Sequence, residues 1–209
     1  MTRWDRGTWT REPASAAVDD AGHLTVEAVE GSDWWRDTAY GFRHEDGHGL
    51  LAPWAPGTAV EVTFALDGMT AEFDQAGVAI VVDDATWIKA GVELSDGHPQ
   101  LGAVVTVGAS DWSTGRVDDW VGRAVTVRAS RMADAVIIRA RSAPLEGESA
   151  RPEEWRLVRV ARFPDDRARI GPMLCAPTRA GLRVRFLGWR VTAADTGIHE
   201  PPPHSSGAD

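Results

Sequence analysis

The stretch Phe73–Leu94, FDQAGVAIVVDDATWIKAGVEL, decides the fold. From Gln75 to Val82 and from Thr86 to Leu94, β-branched and apolar residues alternate with others at a period of two, the pattern of half-buried strands. Asp83-Asp84-Ala85 between them is turn chemistry, because short acidic side chains hydrogen-bond the nearby backbone and bend it. In the second strand Ile88, Ala90, Val92 and Leu94 point towards a core. Trp87, Lys89, Gly91 and Glu93 point the other way, placing an aromatic ring, a cation and a carboxylate around a glycine. Register follows from matching apolar faces, since a slip of one residue would turn the whole apolar set outward. Joining Val82 to Thr86 sets Gln75 opposite Glu93, Gly77 opposite Gly91 and Ala79 opposite Lys89. The two glycines and the alanine then form a shallow trough walled by Gln75, Glu93, Lys89 and Trp87. A glycine inside a strand marks either a ligand lying close to the backbone or relief of a strand bend. Both readings stay open at this stage.

Working outward, the chain of 209 residues has a length that one large β domain commonly reaches. Its formal net charge of −9 argues against nucleic acid or an anionic membrane as the main partner. Cys175 is the single cysteine, so no intramolecular disulfide can form, which suits a reducing compartment. No apolar leader and no run long enough to span a bilayer is present, so the expectation is a cytoplasmic protein. Ten Trp against one Tyr is the unusual feature of the composition. Each Trp buries a large apolar area, and about half of them are expected in the core.

Alternation places further strands at His23–Val29, Thr38–Arg43, Ala59–Leu66, Leu101–Val107, Arg123–Ser130, Ala135–Arg141, Trp155–Phe163, Ile170–Ala176 and Leu182–Thr192. With the central pair this makes about eleven strands, separated by turn signals and with almost no helical period. Residues 108–115 and 142–154 read as loops. The sum is an all-β, two-sheet sandwich over residues 1–192, with 193–209 expected as a disordered tail rich in proline and serine. In Trp34-Trp35 adjacent side chains must point oppositely, so at most one enters the core and the other is free for a ligand. His44-Glu45-Asp46-Gly47-His48 spells the H-E-x-x-H zinc pattern. That pattern needs a helix to put both histidines on one face, and Gly41, Gly47, Gly49 and Pro53 deny one. We therefore expect no metal site and no cofactor, with Asp46-Gly47 as a turn and His48 flanking the groove.

Ser32-Asp33-Trp34-Trp35-Arg36, Tyr40-Gly41-Phe42, Asp46-Gly47-His48, Asp74-Gln75-Ala76-Gly77, Trp87-Ile88-Lys89-Ala90-Gly91-Val92-Glu93 and Ser110-Asp111-Trp112-Ser113 occur in this order. Together, over about residues 23–190, they resemble the "regulation of enolase"-type domain-of-unknown-function family. Trp35, where the pattern usually has another aromatic, is a mild departure. The resemblance implies the fold of concanavalin A-like lectins and glucanases, a jelly roll of two curved antiparallel sheets. It also implies that the concave sheet is the groove where relatives of that fold bind sugars. It implies no particular reaction, and fold alone assigns none.

Residue chemistry and resemblance meet on that face. Aromatic rings that stack on sugar C–H faces, beside amides, carboxylates and cations that bond hydroxyls, form a carbohydrate site. The candidate ligand-binding residues are Gln75, Trp87, Lys89 and Glu93 on the floor and Asp111 and Trp112 on a bordering loop. Trp35, His48 and Arg139, which shares a face with Ile137 and Arg141, complete the set. A carbohydrate or sugar-derivative binder is the leading expectation. A glycan hydrolase with Glu93 as its acid or base is the alternative. It lacks an obvious second carboxylate: the strand offers Lys89-x-Gly91-x-Glu93, and only Asp111 or Glu72 could supply one. A regulatory domain that docks on a metabolic enzyme is the third. An edge strand such as His23–Val29 could also pair two copies as a homodimer.

Overall fold

In the computed structural model, which describes residues 2–145, 154–163 and 167–203, nearly all regular structure is β. The first third of the chain supplies β1 (Thr8–Trp9), β2 (Ser15–Val18), β3 (Leu24–Glu27), β4 (Trp34–Arg36), β5 (Arg43–Glu45), β6 (His48–Pro53) and β7 (Thr58–Ala65). The middle holds β8 (Gln75–Asp83), β9 (Thr86–Ser95), β10 (His98–Val107) and β11 (Ala109–Arg116). The last third holds β12 (Ala124–Met132), β13 (Ala135–Ala143), β14 (Arg156–Arg162), β15 (Arg169–Cys175) and β16 (Arg183–Ala193). One seven-stranded antiparallel sheet runs β1-β6-β15-β8-β9-β10-β11, and the other runs β14-β13-β12-β7-β16-β3-β2. The pair forms a jelly-roll sandwich. The described residues contain no helix long and apolar enough to cross a membrane.

The alternation read from the sequence is what joins the sheets. Val78 and Ile80 of β8 and Ile88, Ala90 and Val92 of β9 turn inward, where they share one buried cluster with Val60, Val62 and Phe64 of β7 and Val125 and Val127 of β12. The β8–β9 register pairs Gln75 with Glu93, Gly77 with Gly91 and Ala79 with Lys89, as expected, with a bulge between Val81 and Asp83. Six of the ten Trp are buried, four in this core (Trp4, Trp54, Trp120, Trp189) and two, Trp34 and Trp87, in a separate cluster.

The structure adds β1, β2 and β6, which the sequence reading did not mark as strands, and departs from it in three further segments. Residues 109–116, expected as a loop, form the edge strand β11, whose partners on β10 run from Gln100↔Arg116 to Val107↔Ala109. An edge strand needs little apolar content because most of its side chains remain in solvent, so its polar sequence hid it. The expected strand Thr38–Arg43 is instead the tip of a separate two-stranded ribbon, β4–β5, built on pairs from Trp34↔Glu45 to Arg36↔Arg43. Part of the expected tail is pinned. Asp195, 4 % exposed, takes hydrogen bonds from Arg128 Nε (2.9 Å) and Arg139 Nε (3.0 Å), and Arg139 also donates to the Ile198 carbonyl at 2.6 Å. Two buried guanidinium groups supply the order that the tail's own composition lacks. Residues 146–153 of the expected 142–154 loop, and the tail beyond 203, lie outside the described residues.

Candidate functional site: a capped groove on the outer face of the first sheet

The ribbon β4–β5 folds over one part of the outer face of the first sheet and leaves the rest open. Trp34 is its anchor. It is buried against Trp87, ring centroids 6.4 Å apart, and fits because Gly47 and Gly49 carry no side chain: a Cβ on Gly47 would come within 2.8 Å of the indole. The ribbon is tied to the β10–β11 turn, where Arg36 N donates to Ser110 Oγ (2.9 Å), Arg36 Nε to the Gly108 carbonyl (3.0 Å) and Thr38 Oγ1 to the Ser110 carbonyl (2.5 Å). Trp35 faces away from Trp34, as adjacent strand residues must. Its indole N–H bonds the Thr38 carbonyl (2.9 Å), and its ring meets Trp112 edge-on at 6.5 Å.

Between ribbon and sheet lies a cleft of about 820 Å³. Gln75, Lys89 and Glu93 lie at its floor, while Trp35, Tyr40, Phe42, Phe73 and Trp112 line its walls. Tyr40 is 73 % exposed and stacks on Phe42 at 5.4 Å with an interplanar angle of 8°. Asp37, Ala39 and Phe73, none of them glycine, hold positive φ of 61°, 65° and 64°. Such left-handed non-glycine residues cost about 1 kcal/mol or more each and gather at functional surfaces.

The polar floor is organised by Asp33, which the sequence reading quoted in its motif but did not select. Asp33 Oδ1 accepts Lys89 Nζ at 2.6 Å and Gln75 Nε2 at 3.3 Å, while Gln75 Oε1 takes a second Lys89 hydrogen bond at 2.8 Å. Burial is the largest single influence and opposes the Lys89 charge, but Asp33, Cys175 and Glu93 together hold the ammonium pKa above its ordinary value. A lysine on a glycine-bearing, buried face demands a carboxylate partner, and that demand is the signal that could have found Asp33. Glu93 stands apart: no side-chain hydrogen bond or ion pair forms on its carboxyl among the described residues. Burial pushes its pKa up to about 7, with Lys89 opposing and Asp33 and Glu72 adding to the rise.

Six sequence candidates meet at this cleft: Gln75, Lys89, Glu93, Trp35, Asp111 and Trp112. Three need correction. Trp87 is only 2 % exposed, sealed under Trp34, and offers no surface to a ligand. His48 is fully buried, accepts the Val29 N–H at Nε2 (3.0 Å) and meets the Arg11 carbonyl at Nδ1 (3.0 Å). Burial lowers its pKa, so it is a neutral structural residue. Arg139 belongs to the other sheet and holds the C-terminal segment. Asp111 lines the cleft beside Trp112, with its carboxylate paired to Arg159 at 2.9 Å. Glu72, named as a second acid, accepts the Asp96 N–H at 2.8 Å and does not line the cleft. The described residues hold no group of three or more His, Cys, Asp or Glu able to hold a metal ion.

The architecture defines the class: a jelly-roll β-sandwich whose outer sheet face carries an aromatic-walled groove. Within that class the chain belongs to the family described as "Protein of unknown function (DUF1349)", whose model matches residues 9–194. It is 39 % identical to Regulation of enolase protein 1 of Saccharomyces cerevisiae over 198 residues, 92 % of each chain. A crystal structure of a functionally unknown protein from Saccharomyces cerevisiae superposes with a TM-score of 0.77 at 36 % identity, covering 92 % of this chain and 98 % of that one. The xylan β-1,4-xylosidase from Bacillus halodurans aligns with a TM-score of 0.63 at 15 % identity, over 90 % of this chain and 38 % of the enzyme. At that identity the likeness is one of fold.

Proposed function

We propose that the cleft binds a carbohydrate or sugar derivative. The observation that carries this reading is the arrangement of Trp35, Tyr40 and Trp112 around a floor that offers an amide, an ammonium and a carboxyl. Aromatic walls take the C–H faces of a ring and convergent polar groups take its hydroxyls, which is how small polar ligands gain both affinity and orientation. The fold likeness to a xylosidase adds support at the level of architecture. Intrinsic Trp fluorescence titrated with mono- and oligosaccharides tests it. A saturable change in the wild type that is weakened at least ten-fold by Trp112→Ala is expected. Silence across a broad panel from folded protein would overturn it and favour docking of a protein partner on the exposed Tyr40–Phe42 surface, the reading that the name of the yeast relative suggests.

One observation favours a second reading, glycan hydrolysis. A carboxyl with pKa near 7 suits a general acid, and Asp33, ion-paired with Lys89, is another carboxylate on the same cleft. Turnover that disappears in Glu93→Gln is the expected mark of that reading.

A further inference from the structure

The charges at the cleft do not balance. Lys89 is neutralised by Asp33 at 2.6 Å, and Asp111 by Arg159 at 2.9 Å. On the ribbon above, Arg36 pairs with Glu45 at 2.5 Å and Arg43 with Asp37 at 2.7 Å. On the other side Asp74 pairs with Arg179 at 2.6 Å. Each of these acids has its cation. Glu93 alone among the acids lining the cleft has neither an ion pair nor a side-chain hydrogen bond among the described residues. Lys89, the nearest cation on its own strand, already spends two of its three N–H donors on Asp33 and Gln75.

A carboxylate held half-buried without a partner is unfavourable unless a proton neutralises it or a ligand completes it. The walls around it carry the same polarity, since an aromatic ring presents a negative face to a cation within about 6 Å. A neutral sugar would satisfy the hydroxyl-bonding capacity of such a floor but would leave the Glu93 carboxyl without a cation.

We propose that the ligand of this cleft carries a primary amine: an amino sugar whose ammonium seats on the Glu93 carboxylate while its ring lies among Trp35, Tyr40 and Trp112. This deepens the sugar-binding reading and rests on it. Because burial raises the Glu93 pKa to about 7, a proton competes for its carboxyl near neutral pH, and binding of an ammonium expels it.

The test compares matched ligands, a glucosamine disaccharide, its N-acetylated form and the corresponding neutral glucose disaccharide, by Trp fluorescence and calorimetry. Wild type, Glu93→Gln and, as a distant acid, Glu12→Gln are compared after circular dichroism has confirmed that each is folded. The expected result is binding of the amine at least ten-fold tighter than of either neutral form. That preference should fall to within about two-fold in Glu93→Gln and persist in Glu12→Gln. The heat of amine binding at pH 7 should vary with buffer ionisation enthalpy in the wild type alone of the first two. Saturable binding of all three disaccharides within two-fold in the wild type would overturn the amine assignment and leave the sugar site standing. Tight binding of a simple alkyl diamine, equal to that of the amino sugar, would overturn the sugar reading while keeping Glu93 as a cation site. No binding of any of these ligands would overturn both.

Discussion

Glu93 and Lys89 lie four residues apart on one strand, roughly 13 Å when extended, and their environments drive them in opposite directions. Lys89 receives a carboxylate and an amide as hydrogen-bond partners, whereas Glu93 receives neither and is governed mainly by burial. For Glu93 the fold favours the protonated form. That contribution to stability is complete below the ordinary carboxylate pKa and disappears as pH rises through about 7. Glu93→Gln is permanently neutral, so its stability should match the wild type near pH 4 and exceed it at pH 8. The gain is bounded by about 3 kcal/mol and reduced by partial exposure. Denaturant midpoints across that range check it, and a difference independent of pH would contradict the assignment. Asp33→Ala leaves the buried ammonium unpaired, and a loss of about 3–5 kcal/mol is expected from the same midpoints. Asp33→Asn, which keeps a hydrogen-bond acceptor for Lys89, should recover part of it.

At the scale of the element, β8 and β9 give the glycines a reason that neither reading of the sequence contained. A Cβ on Gly91 would lie 2.1 Å from the Ala76 carbonyl oxygen and 2.7 Å from Gly77 Cα, so the two backbones approach too closely for any side chain. The neighbouring Gly102 is similar, with its Cβ 2.4 Å from the Ser113 carbonyl oxygen. Glycine here serves strand approach. Gly91→Ala should destabilise by about 2 kcal/mol or more because only backbone can give way. Gly115→Ala on β11, with nothing within 4 Å of its Cβ, is the comparison expected to change stability by less than about 0.5 kcal/mol. Thermal melts of the two variants side by side read the difference.

Across the whole molecule, the outer faces of the two sheets are put to different uses. The first carries the cleft under its ribbon. The second carries buried Arg128 and Arg139, which grip Asp195 and draw the C-terminal segment across it. Asp195→Ala strands two buried guanidinium groups, so a loss of about 3–5 kcal/mol and faster proteolysis of the C-terminal segment are expected, by melting and by limited digestion. The sequence by itself determined the all-β class, the faces and register of Gln75–Leu94, and the opposite directions of Trp34 and Trp35. These follow from a period of two and the need to match apolar faces, which are local properties of the chain. It also placed Gln75, Lys89, Glu93, Trp35, Asp111 and Trp112 on candidate ground. Only the tertiary structure decided that Trp87 is sealed by Trp34, that His48 and Arg139 are structural, that Asp111 turns to Arg159 and that Asp33 completes Lys89. Each of those outcomes depends on which other segment of the chain, 19 to 56 residues away, covers the face, and alternation along a strand carries no information about what is laid over it.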